Sequence, residues 1–448
     1  MPEDLERALR TLLDSPDAEV DDLRRLSGGA SRETWSFDLV EGSDRRPLIL
    51  QRVRPGTAAS RTSLGAVREA DLLRLAAARG VPVPEVLASD DGTVLGGSGM
   101  VVERLPGETI ARKLLRDDEW EPARRVLGEQ AAAAMAAIHS IPADDAPWLD
   151  PSDQVEQCRG IIDGLDAPHP AFELALRWLA AHRPAPVPES VVHGDFRLGN
   201  LLVDHDGLRA VLDWELAHRG DPLEDLGWFC VRAWRFGSSL AAGGVSTREA
   251  LVAAYEAASG REVDVEALRW WEVLGTLKWG SICIVQSWGH LSGATRSVEL
   301  ATIGRRVCEN EWDVLGLLPG GPLDAEPAPA RPVLAGMHDR PTAVELVEAV
   351  REWIEGDVRA GTEGRLAFHT RVAGNALRMV ERELALEPAL SEAHHERLVT
   401  LACEDDRDLS QRIREGALDD RTEEVRSVVA ASVRDKLLVA NPGWLQPD

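Results

Sequence analysis

The chain has little that would tie it to a membrane, to nucleic acid or to an oxidising compartment. Its five cysteines, Cys158, Cys230, Cys283, Cys308 and Cys403, are scattered and form no C-x-x-C pair. They read as buried or inert thiols in a reducing cytoplasm, with no disulfide framework and no structural zinc. No apolar run approaches the ~20 residues that a membrane-spanning helix needs. The first ten residues, MPEDLERALR, are acidic and amphipathic, which is not the pattern of a signal peptide. Positive charge is also short: 50 Lys and Arg against 76 Asp and Glu leave a net charge of −26. That balance argues against nucleic acid or an anionic membrane surface as the main partner. It leaves cationic substrates open, although solubility alone accounts for it. The chain contains no recognisable internal repeat. What is present, 44% hydrophobic and 28% charged residues over 448 positions, suits a soluble globular protein of two or three domains.

The most informative stretch is VVHGDFRLGNLLVDHDGLRAVLDWELAHRGDPLEDLG, beginning at Val191. Two short apolar runs, 201–203 and 210–212, flank the turn sequence Asp204–Gly207, a hairpin signal. His-Gly-Asp-x-x-x-x-Asn precedes the first run and Asp-Trp-Glu follows the second. Phosphoryl transfer from a nucleotide needs a base at the acceptor hydroxyl and hard oxygen ligands for Mg²⁺. Asp195 can take the hydroxyl proton. Asn200 and Asp213 stand at the two ends of one hairpin, so both can meet the same metal ion. Asp and Asn in turns commonly do no more than cap backbone groups. Three of them in this order across one hairpin is a far more specific pattern.

This stretch resembles the aminoglycoside phosphotransferase (phosphotransferase enzyme) family, and in particular the kinase-like segments fused to some acyl-CoA dehydrogenases. The spacing from Asp195 to Asn200 also matches the catalytic loop of protein kinases, with Gly194 where those carry Arg. The resemblance covers roughly residues 20–315 and implies an ATP-dependent phosphotransferase with an alcohol acceptor, using ATP (or GTP) and Mg²⁺. Residue by residue, it implies Asp195 as base and Asn200 and Asp213 as metal ligands. Asp225 would hold the catalytic loop through backbone hydrogen bonds, and Asp221 would cap a helix. Gly28, Gly29 and Ser31, between two predicted strands, would lie against the nucleotide phosphates. The following strand, PLILQRVRPG, departs from the family pattern in having no Lys. The choice of phosphate clamp falls between Gln51 and Arg52, with Arg52 preferred and paired with Glu69 on the helix predicted over 65–79. Backbone groups around Glu103–Leu105 would read the adenine edge, with Met100 and Val102 against the base. Glu215 could touch metal or acceptor, and His139 is expected to pack behind the catalytic loop.

Residues 142–170 read as loop, 171–183 as helix, and 246–315 as helical. Eight of the 14 tryptophans fall between Trp214 and Trp312. They suit either the core of an aromatic-rich helical lobe or a pocket for an acyl chain or an amine. A Pro- and Gly-rich linker follows, and 341–442 reads as four or five helices without strand signals. This tail is similar to an uncharacterised helical domain. His369, Arg371 and Asn375 could line a site in it, although polar groups on a bundle helix usually pair locally.

The expected architecture is therefore α+β: a protein-kinase-like two-lobed fold followed by an all-α bundle. A small antiparallel-sheet lobe (1–105) leads to a mostly helical lobe (106–315), a linker (316–340) and the bundle (341–448). The expected function is Mg²⁺-dependent transfer of the ATP γ-phosphoryl group to a small-molecule hydroxyl, with a hydroxyacyl-CoA-type compound as acceptor. An aminoglycoside or amino alcohol is the charge-consistent competitor. A nucleotide-binding scaffold or sensor without turnover is the alternative of another class. A protein partner could engage the tail.

Overall fold

The structure is a computed structural model that describes residues 2–26, 32–53, 64–165, 168–321, 323–325 and 341–446. The described residues divide into two compact units, one of 1–152 with 185–272 and the other of 153–184 with 273–448.

The first unit opens with helix α1 (Pro2–Leu12), then strands β1 (Glu19–Arg25), β2 (Glu33–Glu41) and β3 (Asp44–Arg52), helix α2 (Ala66–Ala78), and strands β4 (Val86–Asp90) and β5 (Gly99–Glu103). The five strands form one antiparallel sheet in the order β1-β2-β3-β5-β4. Side chains alternate across a strand, so each strand serves two faces. Leu48 and Leu50 of β3 and Val101 of β5 join Leu5 and Leu9 of α1 in one apolar cluster. Met100 and Val102 point the other way and join Ala70 and Leu73 of α2 in the main core. Ile49 packs on that same side.

Beyond the sheet come α3 (Ala111–Arg116) and α4 (Glu121–Ile138). The second unit contributes α5 (Gln154–Gly164) and α6 (Pro170–Ala181) before the chain returns to the first unit. The helix α5 falls in a stretch that reads as loop. Its start is marked by Asp153, whose carboxylate accepts from the N–H groups of Val155 and Glu156. Strand β6 (Ser190–Val192) pairs with β9 (His218–Gly220), enclosing the hairpin of β7 (Leu201–Asp204) and β8 (Gly207–Val211). Gln130 of α4 braces the hairpin turn, accepting from Leu208 N–H at 2.6 Å and donating to the Asp206 carbonyl at 3.1 Å. Helices α7 (Leu223–Cys230), α8 (Arg248–Ser259) and the start of α9 (Val265–Leu291) complete this unit.

The second unit continues with α10 (Val298–Ile303), α11 (Val307–Leu317), α12 (Ala343–Trp353), α13 (Gly364–Thr400), α14 (Asp406–Glu415) and α15 (Thr422–Ala440). Helix α13 is a single 37-residue element running through Pro388. Packing groups the chain differently from the boundary drawn at residue 315. Ala171 of α6 and Cys308, Trp312 and Leu315 of α11 lie in one apolar core with Leu409, Ile413, Val429 and Leu437. Polar contacts reinforce that grouping: Arg414 donates to Glu173 and Asp163, and Arg426 donates to the carbonyl of Leu315. Most of 316–340 lies outside the described residues.

Candidate active site

The site is built on the turn between β6 and β7. Gly194 has φ 77°, and a Cβ there would lie 2.4 Å from the Leu216 carbonyl oxygen, so only glycine fits. The turn is fixed from α7 by Asp225, which is fully buried. It accepts from the N–H groups of His193 at 2.7 Å and Gly194 at 2.9 Å, and from His139 Nε2 at 3.0 Å. His139 in turn reaches the Tyr255 hydroxyl through Nδ1. Burial by itself would raise the Asp225 carboxyl. The His139 bond, the neighbouring imidazole charge and the backbone N–H groups outweigh it and bring it down to about 2. Asp225 and His139 thus lie behind the turn, joined to each other and to its backbone.

His193 behind the turn is held as a neutral ring. Its Nε2 lies 3.0 Å from the Leu212 carbonyl, which can only accept, so Nε2 carries the proton. Nδ1 is then free to accept from Asp195 N–H at 3.2 Å. Burial pushes its pKa down, in keeping with that state.

Asp195 is brought against Asn200. Asn200 Nδ2 donates to Asp195 Oδ2 at 2.7 Å and to the Asp195 carbonyl at 3.0 Å. With its amide nitrogen committed, Asn200 has Oδ1 left to offer a hard cation. Two residues that the sequence reading did not single out also touch the Asp195 carboxylate. Trp228 Nε1 donates to Oδ1 at 2.9 Å, and Arg197 Nε donates to Oδ1 and Oδ2 at 3.1 and 3.2 Å. Arg197 also lies over the Trp234 ring, 5.1 Å from its centroid, and Trp234 packs on Trp228. Trp228 could have been found, because it stands three residues after Asp225 on α7 and so shares its face.

Asp213 follows β8, whose end is tied to the segment between β6 and β7 by the bond from Leu212 N–H to the Asn200 carbonyl at 2.8 Å. It is a non-glycine residue in the left-handed region, φ 64°, a conformation that concentrates at functional sites. Its carboxyl is pushed up to about 7, first by burial and then by the carboxylates of Glu215, Asp195 and Glu69. A partly buried group of acids with this much mutual repulsion fits a divalent cation, and Asp213 and Asn200 supply oxygen donors of the type Mg²⁺ takes. No group of three His, Cys, Asp or Glu side chains suited to a metal occurs among the described residues, and the expected pair relies on an asparagine.

The phosphate clamp departs from expectation. Glu69 is buried, and its carboxylate pairs with Arg32, not with Arg52. Burial raises the Glu69 carboxyl, opposed by Arg32 and by the backbone N–H of Trp214. Arg52 shares the β3 face of Leu48 and Leu50. There it donates to the Leu95 carbonyl at 3.1 Å and pairs with Glu33 at 3.4 Å. Gln51, one residue earlier, stands on the Ile49 face that packs with α2. Gly28, Gly29 and Ser31 lie outside the described residues. Glu103 and Leu105 lie at the end of β5, where the chain leaves the sheet. Glu108 then pairs with Val203 of the β7–β8 hairpin through two backbone bonds, 2.8 and 3.0 Å. Asp221 accepts from the N–H of Leu223, the first residue of α7, and from Trp271 Nε1.

Residues 22–271 match the phosphotransferase enzyme family. The chain belongs to that family. Residues 360–444 match a domain of unknown function, DUF6285. Acyl-CoA dehydrogenase family member 10 of Mus musculus is 30% identical over 245 residues, covering 52% of this chain and 22% of that protein. Acyl-CoA dehydrogenase family member 11 of Gallus gallus is 29% identical over 218 residues, 46% of this chain and 27% of that protein. The chain thus spans about a quarter of the length of these curated relatives. Among solved structures, a protein assigned as a candidate aminoglycoside phosphotransferase of Ralstonia eutropha superposes with a TM-score of 0.57 at 22% identity, covering 70% of this chain and 98% of that one. The fold of this phosphotransferase is the protein-kinase-like one, extended by an all-helical C-terminal region. No helix among the described residues is long and apolar enough to cross a membrane.

Proposed function

We propose that this phosphotransferase is a Mg²⁺-dependent small-molecule kinase that moves the γ-phosphoryl group of ATP to a substrate hydroxyl. The observation that carries the reading is the catalytic turn itself. Asp195, bonded to Asn200 and oriented by Trp228 and Arg197, lies beside Asp213 on a loop that Asp225 fixes from behind.

In this reading Asp195 takes the proton of the acceptor hydroxyl as that oxygen bonds to the γ-phosphorus. The bond from the γ-phosphorus to its bridging oxygen breaks, and ADP leaves with the electron pair. Asn200 and Asp213 would hold Mg²⁺, which neutralises phosphate charge when bound. Arg32, positioned by Glu69, takes the place of the β3 cation, and a guanidinium can grip phosphate oxygens bidentately. Gly28, Gly29 and Ser31, immediately before Arg32 in the chain, cap the phosphates, and the Glu103–Leu105 backbone reads the adenine edge.

For the acceptor we favour a hydroxylated acyl compound of the hydroxyacyl-CoA type, on the strength of the acyl-CoA dehydrogenase relatives. An aminoglycoside or amino alcohol is the second reading. It is favoured by the tryptophans beside Asp195 and by the carboxylate excess around Asp213, both of which suit a cation. The reading without turnover, a nucleotide-binding scaffold, draws on the engagement of Arg52 away from Glu69. The presence of a positioned base weighs against it.

The test is ATP consumption with Mg²⁺ across hydroxyacyl-CoAs, sugars, simple alcohols and aminoglycosides, with wild type beside Asp195→Ala. Phosphorylated product from wild type alone is the expected outcome and identifies the acceptor class. Nucleotide binding with no product from any acceptor favours the scaffold, and absence of nucleotide binding overturns both.

A further inference from the structure

The second unit carries a half-open cavity of about 420 Å³ that the phosphotransferase site does not use. Its size is that of a small-molecule site. Its wall comes from α11, α13 and α15, with His169 and Asp406. Along α13, Glu383, Glu387, Ser391 and His394 recur every three or four residues, so one face of that helix lines the space. At 1.5 Å rise per residue, Glu387 stands about 10 Å from the level of His394 and about 15 Å from that of Arg397.

The two ends of this slot differ in chemistry. At one end the charges come in pairs, with the acid buried behind the base. The Lys436 side chain is 38% exposed while its partner Glu311 is 1% exposed. Arg397 is 18% exposed over Asp435 at 6%. A ligand therefore meets the ammonium and the guanidinium first. At the other end the carboxylates are accessible. Glu387 is exposed and takes the Ser391 hydroxyl on Oε1, and Glu383 takes Arg305 on Oε2. One oxygen of each is left without a hydrogen bond among the described residues. Between the ends, Val307, Leu390 and Val439 supply apolar wall. Three cationic and five acidic side chains line the whole, so the wall carries an excess of two carboxylates. A simple anion is poorly matched to that excess.

We propose that this cavity binds an extended zwitterion. Its carboxylate lies at Arg397 and Lys436, its ammonium at Glu383 and Glu387, and an apolar chain runs along Val307, Leu390 and Val439. An ω-amino acid or a short peptide has this chemistry. The site stands independently of the phosphotransferase reading.

The experiment is calorimetric titration of the full chain with 4-aminobutanoate, 8-aminooctanoate and 12-aminododecanoate, beside octanoate and octylamine. The longer zwitterions bind, with 4-aminobutanoate and both single-charge controls at least tenfold weaker. Glu387→Gln, on an exposed position that leaves folding intact, weakens zwitterion binding about tenfold, and Arg397→Met weakens it similarly. Binding by none of the zwitterions overturns the proposal. So does equal binding of octanoate or octylamine, and so does an unchanged Kd in Glu387→Gln.

Discussion

Asp225→Ala removes a buried carboxylate that accepts from the N–H groups of His193 and Gly194 and from Nε2 of His139. Leaving a buried donor short of its acceptor costs about 1–3 kcal/mol, and both His193 N–H and His139 Nε2 lose theirs here. The expected loss at pH 7 is therefore about 2–6 kcal/mol, read as a lower urea midpoint for the transition followed by tryptophan fluorescence. Asp225→Asn retains a single carbonyl acceptor and should lose about 2 kcal/mol less. The pH dependence has a definite sign. The Asp225 carboxyl is held at about 2, below the ordinary 3.8. A depressed carboxyl stabilises the fold fully above its unfolded value and ceases to do so as pH falls through its folded one. At about 1.4 kcal/mol per pH unit, wild type should lose about 2 kcal/mol between pH 4 and pH 2 through this group. Asp225→Asn has no such carboxyl, so its deficit relative to wild type should shrink over the same range. A deficit below about 1 kcal/mol at pH 7 in Asp225→Ala, or one that does not change with pH in Asp225→Asn, would refute the argument.

Trp228→Phe keeps the ring but removes the N–H that meets Asp195, an interaction of about 1.5–3 kcal/mol with a charged acceptor. Turnover should fall about tenfold or more with the Michaelis constant for nucleotide unchanged, and equal turnover would separate the tryptophan from the base. Arg32→Ala should weaken nucleotide binding about tenfold or more, whereas Arg52→Ala, on the opposite face of β3, should change it less than about twofold; the reverse order in a nucleotide titration would restore Arg52 as clamp. Truncation after residue 325 removes the helices that cover Ala171, Trp312 and Leu315, three residues buried in a shared core. Re-exposing that surface costs at least about 3 kcal/mol, so the shortened chain should melt lower or aggregate, and an unchanged melting temperature would deny the shared core.

The parts of the site that were legible in the sequence are those fixed by neighbours along the chain. The hairpin, its turn at Gly207, and the spacing of Asp195, Asn200 and Asp213 depend on local patterns, and local patterns survive folding. Asp225 was legible for the same reason, being one helix start beyond the hairpin. The partner of Glu69 was not, because Gln51 and Arg52 are adjacent and a strand sends adjacent residues to opposite faces. Which of them faces Glu69 is decided by the pairing of β3 with β2 and β5, where Arg52 comes opposite Glu33 and Gly99. A cation on the Glu69 side then had to come from elsewhere, and Arg32 at the head of β2 is the residue that does so. Nothing in its own neighbourhood distinguishes it from Arg24 or Arg25.

The domain boundary was illegible for a related reason. The Pro- and Gly-rich stretch after 315 marks where the chain can be drawn out, not where the core ends. The family match stops at residue 271, inside α9, and the packing division falls at almost the same point, between Glu272 and Val273. The helix itself gives no sign of this, since it is apolar on both sides of that position and runs without a break. The cores differ on the two sides of this point. Leu268 belongs to the core that holds Phe196, Trp214 and Phe229, whereas the later helix α11 joins the core of α14 and α15. The residues that match the domain of unknown function therefore supply only part of the second core. Ala171 of α6 and Cys308, Trp312 and Leu315 of α11 complete it, so the tail shares its core with residues that precede it in the chain.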